Sequence, residues 1–200
     1  MDRNTRQLRS VQTSFATRED GGAPHISGYF AVFNQTYEIA PGMTESIAPG
    51  AFSRTLSGDV RALVNHDTTL VLGRTKAGTL KLVEDARGLW GDVTINPNDR
   101  SAMDLYERVK RGDVDQCSFG FEILKEDIEI LDDESVHWTI TDLRLYEVSA
   151  CTFPAYEDTN ISARAKQRDD IKARELAAWK ERMKGALRNG TESPAAEEAD

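Results

Sequence analysis

Three side chains of the sequence have the chemical types that a hydrolase uses to attack an acyl carbon: Ser118, His66 and Glu147. A serine hydroxyl is a weak nucleophile until a general base takes its proton, and histidine suits that role near neutral pH. A third group, usually a carboxylate, must orient the histidine and stabilise its charged form. Such residues occur in several orders along a chain, so the order alone does not show that they meet in space.

The serine lies in residues 115–123, whose sequence DQCSFGFEI alternates as a β-strand does. One face of this predicted strand is apolar and carries Cys117, Phe119, Phe121 and Ile123. Ser118 lies on the other face, with Gly120 two residues further on. A glycine inside a strand often marks the close approach of another group. We therefore expect Ser118 to point away from the core, in open surroundings on a rigid element.

Glu147 is the preferred third group because it follows Leu143 and Leu145 on a predicted apolar face. A carboxylate there is costly to bury unless it is paired. Three other residues could complete the group of serine, histidine and carboxylate: Asp142 or Asp67 as the carboxylate, and His137 as the histidine. A structural role is the competing interpretation, in which Glu147 pairs with an arginine such as Arg144 or Arg87.

Cys117 is a rival nucleophile because it is the direct neighbour of Ser118. On a strand it faces the apolar side, where a thiol behaves as a small hydrophobic group with a raised pKa. Cys151 follows the same logic. We therefore rank a cysteine mechanism below a serine mechanism.

The 200-residue chain is long enough for one domain of about 150 residues with tails. Its formal net charge of −9 argues against a nucleic-acid partner. No apolar run reaches the roughly 20 residues of a membrane span, and the polar amino terminus lacks a signal sequence. The two cysteines form neither a disulfide framework nor a zinc-ligand spacing. We expect a soluble intracellular protein without a membrane partner, and neither a metal nor an organic cofactor is implied.

The chain divides into a flexible N-terminal arm (1–24, with an edge strand near 8–15), a β-rich domain (25–162) and a charged helical and disordered tail (163–200). Short strands are predicted at 26–33, 59–66, 70–75, 79–84, 89–95, 115–123 and 136–152, and helices at 48–56, 98–112 and 164–188. Strands at this spacing with glycine turns favour a β-barrel or sandwich over alternating βαβ units.

Five colinear blocks resemble the tailed-phage prohead maturation proteases of the Hong Kong 97 type. They are GYFAVFN, ESIAPGAFSRTL, LVNHD followed by VLGRT, QCSFGF, and LYEVSACTFPAY, and together they span roughly residues 24–162. Five blocks in one order are far more specific than any one of them. The resemblance implies a mainly β fold with flanking helices, as a small closed or partly open barrel of the herpesvirus-protease type.

The resemblance also implies a serine endopeptidase inside the prohead in the host cytoplasm. It would cleave the scaffolding segment of the major capsid protein and then itself, and could form a homo-oligomer. The family's histidine matches His66 in NHD, and its nucleophile matches Ser118 in CSFGF. Glu147 in LYEVS is assigned by analogy only, because the herpesvirus relatives use a second histidine. The tail would engage scaffold or capsid subunits and be a candidate for removal by self-cleavage.

Two competing functions remain at this point. The first is a non-enzymatic capsid-associated β-barrel, a scaffold or decoration protein in which Ser118 and His66 only pack. The second is a hydrolase of another substrate class on the same fold. The oxyanion hole cannot be placed from the sequence, although the turn at Gly73 and Arg74 and the backbone after Cys151 are candidates.

Overall fold

The computed structural model of the chain describes residues 6–12, 15–133, 135–153 and 158–189. Its strands are β1 (Gln7–Gln12), β2 (Ala16–Asp20), β3 (Ala23–Val32), β4 (Tyr37–Ala40), β5 (Met43–Ile47), β6 (Arg61–Val64), β7 (Asp67–Arg74), β8 (Leu80–Glu84), β9 (Gly88–Thr94), β10 (Gln116–Ile130) and β11 (Val136–Cys151). The helices are α1 (Arg100–Arg111) and α2 (Asp158–Asn189), with a short 3-10 turn at Thr75–Ala77. The mainly β class with a C-terminal helix is as predicted.

The strands form two sheets. The larger has the order β1-β10-β11-β5-β4, with β6 also pairing with β11 and β7 with β6. The smaller has the order β2-β3-β9-β8. The prediction of a barrel is wrong, because the two sheets of the described chain are not closed into one. Their apolar faces instead enclose a core whose largest fully buried side chains include Trp138, Phe30, Phe52, Phe119 and Phe121.

β11 is the centre of the larger sheet. One of its edges pairs antiparallel with β10, and its other edge takes β5 and then β6, both parallel. Its C-terminal part, Glu147 to Ala150, therefore lies between β10, which carries Ser118, and β6, which leads to His66. This arrangement brings residues far apart in sequence onto three adjacent strands, which lie about 4.8 Å apart.

Helix α1 confirms the prediction made for residues 98–112. The side chain of Asp99 accepts a hydrogen bond from Ala102 N at 3.2 Å and caps the first turn. Gly112 ends the helix with φ 85°, a left-handed conformation that glycine adopts without steric cost. The buried side of the helix consists of Ala102, Leu105, Tyr106 and Val109.

Several local predictions differ from the structure. The edge strand predicted near 8–15 corresponds to β1 at 7–12, but β2 at 16–20 was not predicted within the flexible arm. Residues 37–47, for which no strand was predicted, contain the hairpin of β4 and β5. The predicted helix at 48–56 is a series of turns closed by hydrogen bonds between residues three apart, such as Thr55 N to Phe52 O at 2.9 Å. Gly50 in this segment has a φ of 92°, which lies outside the right-handed helical region.

The described residues from 161 onward belong to a second unit of the chain, and those up to 160 belong to the first. The described part of the second unit continues α2, as predicted for 164–188, and Leu176 and Trp179 are each about half exposed on it. Residues 190–200, part of the predicted tail, lie outside the described chain. Among the described residues, no helix is both long and apolar enough to cross a membrane.

The cap of α1 gives a first prediction. Asp99→Ala removes the acceptor of the Ala102 N–H, and we expect the free energy of unfolding to fall by about 1 kcal/mol. Chemical denaturation monitored by circular dichroism measures this loss. Asp104→Ala, at an exposed position inside the same helix, is the matched control. An equal loss in both variants would contradict a capping role.

Candidate active site

His66 lies in the two-residue turn that joins β6 to β7, where Val64 pairs with Asp67. The two residues of the turn, Asn65 and His66, have φ angles of 48° and 61°. Positive φ at both positions is the pattern of a type I′ hairpin turn, which favours Asn followed by Gly. Asn tolerates this conformation, but a histidine in the glycine position is strained. Such strain is concentrated at functional sites and must be supported by the surrounding structure.

That support comes from β11. Asn65 N donates to Ala150 O at 3.0 Å, and the Asn65 side-chain oxygen accepts from Thr152 N at 3.0 Å. His66 N donates to Ser149 Oγ at 3.2 Å. Three hydrogen bonds therefore fix the turn against the end of β11 and orient the His66 side chain along that strand.

Glu147 reaches the site because of a β-bulge in β11. Leu145 pairs with Phe121 while Glu147 pairs with Gly120, so Tyr146 is an extra residue and the register shifts. The shift turns Glu147 away from the core face that Leu145 occupies and onto the face of Ser118. The prediction that Glu147 continues the apolar face of Leu145 is therefore wrong. A bulge beside a functional site commonly redirects a side chain in this way.

The Glu147 carboxylate is only 3% exposed and accepts three hydrogen bonds. Its Oε1 accepts from His66 Nδ1 at 2.7 Å and from Arg6 Nη2 at 2.6 Å, and its Oε2 accepts from Ser149 Oγ at 2.6 Å. Burial acts to raise the pKa of Glu147, but the hydrogen bonds from His66, Ser149 and Arg6 outweigh it and hold the pKa below its ordinary value. With Nδ1 donating to a carboxylate, Nε2 of a neutral His66 is an acceptor and can act as a base.

Ser118 lies on the strand next to this pair, in register with Ser149 of β11. It is fully buried, which differs from the open surroundings predicted for it. Its Oγ donates to the main-chain oxygen of Arg9 in β1 at 2.8 Å. Within the described chain, the hydrogen bonds of Ser118 and of the His66 ring do not join the two residues. The structure thus brings His66 and Glu147 into contact and holds the Ser118 hydroxyl in a different hydrogen bond.

The alternative residues have other partners. The Asp67 carboxylate accepts from Thr69, two residues further along β7, and Asp142 pairs with Arg54. Both ring nitrogens of His137 contact hydroxyls at 2.8 Å, those of Thr44 and Ser46. The arginine beside Glu147 is neither Arg144 nor Arg87 but Arg6.

The two cysteines occupy different environments. Cys117 lies in the core, as predicted, with its Sγ 3.1 Å from Tyr29 O. Cys151 was predicted to face the core, but the bulge places it on the side of Glu147, and its Sγ lies 3.8 Å from His66 Nε2. Burial, with the nearby Glu147 charge, raises the pKa of the Cys151 thiol to about 12. At neutral pH this group is a thiol, the less reactive form for nucleophilic attack.

Two backbone N–H groups in the segments suggested for the oxyanion hole already have partners. Arg74 N donates to Thr79 Oγ1 at 2.9 Å, and Thr152 N donates to the Asn65 side chain. Sequence reasoning also missed Arg6 and Ser149 as partners of Glu147. Ser149 could have been found two residues beyond Glu147 on the same strand, whereas Arg6 is 141 positions away and gave no signal.

The depressed pKa of Glu147 predicts a pH dependence of stability. A carboxylate with a folded-state pKa below its ordinary value of 4.5 stabilises the protein above that pH, and the contribution is lost as the pH falls through the folded-state pKa. The stability advantage of the unmutated chain over Glu147→Gln should therefore shrink below about pH 4.5. Urea unfolding at several pH values measures it, with Glu129→Gln at an exposed position as control. A pH-independent difference would contradict this assignment.

Comparison with known proteins identifies the family. The family described as "Caudovirus prohead serine protease" matches residues 11–174, a range that contains His66, Ser118 and Glu147. The prohead protease of Enterobacteria phage HK97 is 32% identical over 173 residues, covering 84% of this chain and 72% of that protein.

A solved structure is also similar, the capsid assembly protease of bacteriophage T4. The match covers 76% of this chain and 100% of that one, with a TM-score of 0.47 and 10% sequence identity. The family match and the HK97 relative confirm the predicted resemblance: the chain belongs to the caudovirus prohead serine protease family.

Proposed function

We propose that this chain is a serine endopeptidase in which Ser118 is the nucleophile, His66 the general base and Glu147 the group that orients His66. The observation that carries the proposal is the 2.7 Å hydrogen bond between His66 Nδ1 and a buried Glu147 carboxylate. That bond directs Nε2 as the proton acceptor, on the face of the sheet that carries Ser118. Membership of a serine protease family supports the same roles.

In the proposed reaction Ser118 Oγ attacks the peptide carbonyl carbon while His66 Nε2 takes its proton. Glu147 stabilises the imidazolium that forms. His66 then gives the proton to the leaving amine as the peptide bond breaks, which leaves an acyl-enzyme on Ser118. Water, deprotonated by His66, hydrolyses the ester and restores the serine. Donors that stabilise the oxyanion contribute about 10²–10³ in rate and come from groups other than the two N–H donors already engaged.

In the proposed mechanism attack requires a rearrangement of the site. The Ser118 hydroxyl has to leave the Arg9 carbonyl and come within hydrogen-bond distance of His66 Nε2, which in the structure faces the Cys151 thiol. Ser118 lies on β10 and His66 follows β6, so the two groups approach each other across β11. Catalytic hydrogen bonds are often long or misaligned without substrate and tighten in the substrate complex.

We further propose that the substrate is the scaffolding segment of the major capsid protein, inside the prohead in the host cytoplasm, followed by the chain itself. The HK97 relative is named a prohead protease, and its similarity extends over most of both chains. In this proposal residues 25–162 carry the protease site, and the tail from 163 engages scaffold or capsid subunits until self-cleavage removes it.

Co-expression of the chain with its own major capsid protein, followed by mass spectrometry of both, tests the proposal. We expect Ser118→Ala to reduce processing by at least about a thousandfold, because the nucleophile is lost. Cys117→Ala, one residue away, is the matched control and should retain processing. Cys151→Ala should retain it as well, since the nucleophile is the serine.

Cleavage that survives Ser118→Ala would contradict the serine mechanism and return Ser118 to a structural role. Loss of cleavage in Cys151→Ala alone would favour a cysteine mechanism through His66. A folded, unmutated chain that leaves the capsid protein intact would favour a non-enzymatic capsid-associated protein.

A further inference from the structure

Arg6 contacts the proposed active site through a gap at Gly120. Its Nη2 lies 2.6 Å from Glu147 Oε1, the oxygen that also accepts from His66. A Cβ atom on residue 120 would lie only 2.6 Å from Arg6 Nε and would also overlap Glu147 Oε1. The absence of a side chain at Gly120 therefore leaves the space in which the guanidinium meets the carboxylate.

The polar and titratable groups around Glu147 come from three parts of the chain. His66 faces it from the β6–β7 turn, Arg6 from the segment before β1, and Ser149 and Cys151 from its own strand. Among these described groups, Arg6 is the one that is positively charged at any working pH. Ser149 is neutral, and the Cys151 thiol is neutral at pH 7.

A buried carboxylate without a cationic partner is costly. Beside a histidine the cost is reduced when the histidine takes a proton, because an opposite charge favours the protonated form. A protonated His66 cannot accept the proton of Ser118. When a permanent cation is paired with Glu147, the carboxylate no longer requires a protonated His66 to offset its charge. The same cation also repels the imidazolium form of His66.

We propose that Arg6 is a positioning residue: it holds Glu147 as a carboxylate while His66 stays neutral, so that Nε2 can accept the Ser118 proton. The inference deepens the proposed function and rests on it. Arg6 acts through Glu147, to which its described hydrogen bond is made. Its effect is therefore on the pH at which His66 becomes a usable base.

The chain contains only three histidines, so NMR can follow their titration individually. We would record it in the full chain carrying Ser118→Ala, which prevents self-cleavage. Adding Arg6→Gln should move the titration midpoint of His66 to higher pH by about 0.5–1 unit and leave His25 and His137 in place. Arg6→Lys keeps the positive charge, so it should return the His66 midpoint most of the way to its value in the chain with Arg6.

Arg18 provides a matched control. It pairs with the buried carboxylate of Asp92, which also contacts His25, and its side chain is 45% exposed against 40% for Arg6. Arg18→Gln therefore makes the same change in an equivalent group of the other sheet. It should leave the His66 midpoint where it is.

In chains that retain Ser118, the acid limb of the pH profile of kcat/KM should lie at higher pH for Arg6→Gln than for the unmutated chain, by about the same 0.5–1 unit. This corresponds to a loss of about three- to tenfold on the acid side of the profile, with little change at high pH. A His66 midpoint unmoved by Arg6→Gln, or moved equally by Arg18→Gln, would overturn the inference. The NMR result decides this even if the unmutated chain proves inactive, which would refute the proposed function alone.

Discussion

The arrangement of the site depends on one constraint, the burial of the Glu147 carboxylate. An ionised carboxylate that is 3% exposed has to be surrounded by donors. The bulge at Tyr146 turns Glu147 to the correct face, and the strained turn at residues 65 and 66 brings His66 to it. The gap at Gly120 admits Arg6. These local features, costly in isolation, all serve the same group.

The rigid part of this site is β11. Its pairing with β10 on one edge and with β6 on the other fixes the strands that carry Ser118 and lead to His66. Side chains held on paired strands are placed more accurately than those on loops. In the proposed mechanism the Ser118 hydroxyl has to give up its hydrogen bond to the Arg9 carbonyl of β1. The proposed mechanism thus combines a fixed His66–Glu147 pair with a serine that changes its hydrogen bond.

Sequence reasoning succeeded where local signals decide the structure. The predicted helix at 98–112 is α1, and alternation in residues 115–123 placed Cys117 in the core and Ser118 on the other face. It failed where distant contacts decide. A single unpaired residue, Tyr146, reverses the faces of all that follows, and period-two reasoning cannot detect it. The predicted helix at 48–56 is likewise a series of turns, and the two sheets do not close into a barrel.

The serine mechanism is tested most directly by covalent labelling with a peptidyl phosphonate or a fluorophosphonate, followed by peptide mapping of the modified residue. Such a reagent reacts with a serine only when a base removes the hydroxyl proton, so the labelled position identifies the nucleophile and its dependence on His66 identifies the base. The proposed mechanism predicts one adduct, on Ser118, present in the unmutated chain and absent from His66→Ala. An adduct on Ser149 or Cys151, or labelling of Ser118 that persists without His66, would contradict it.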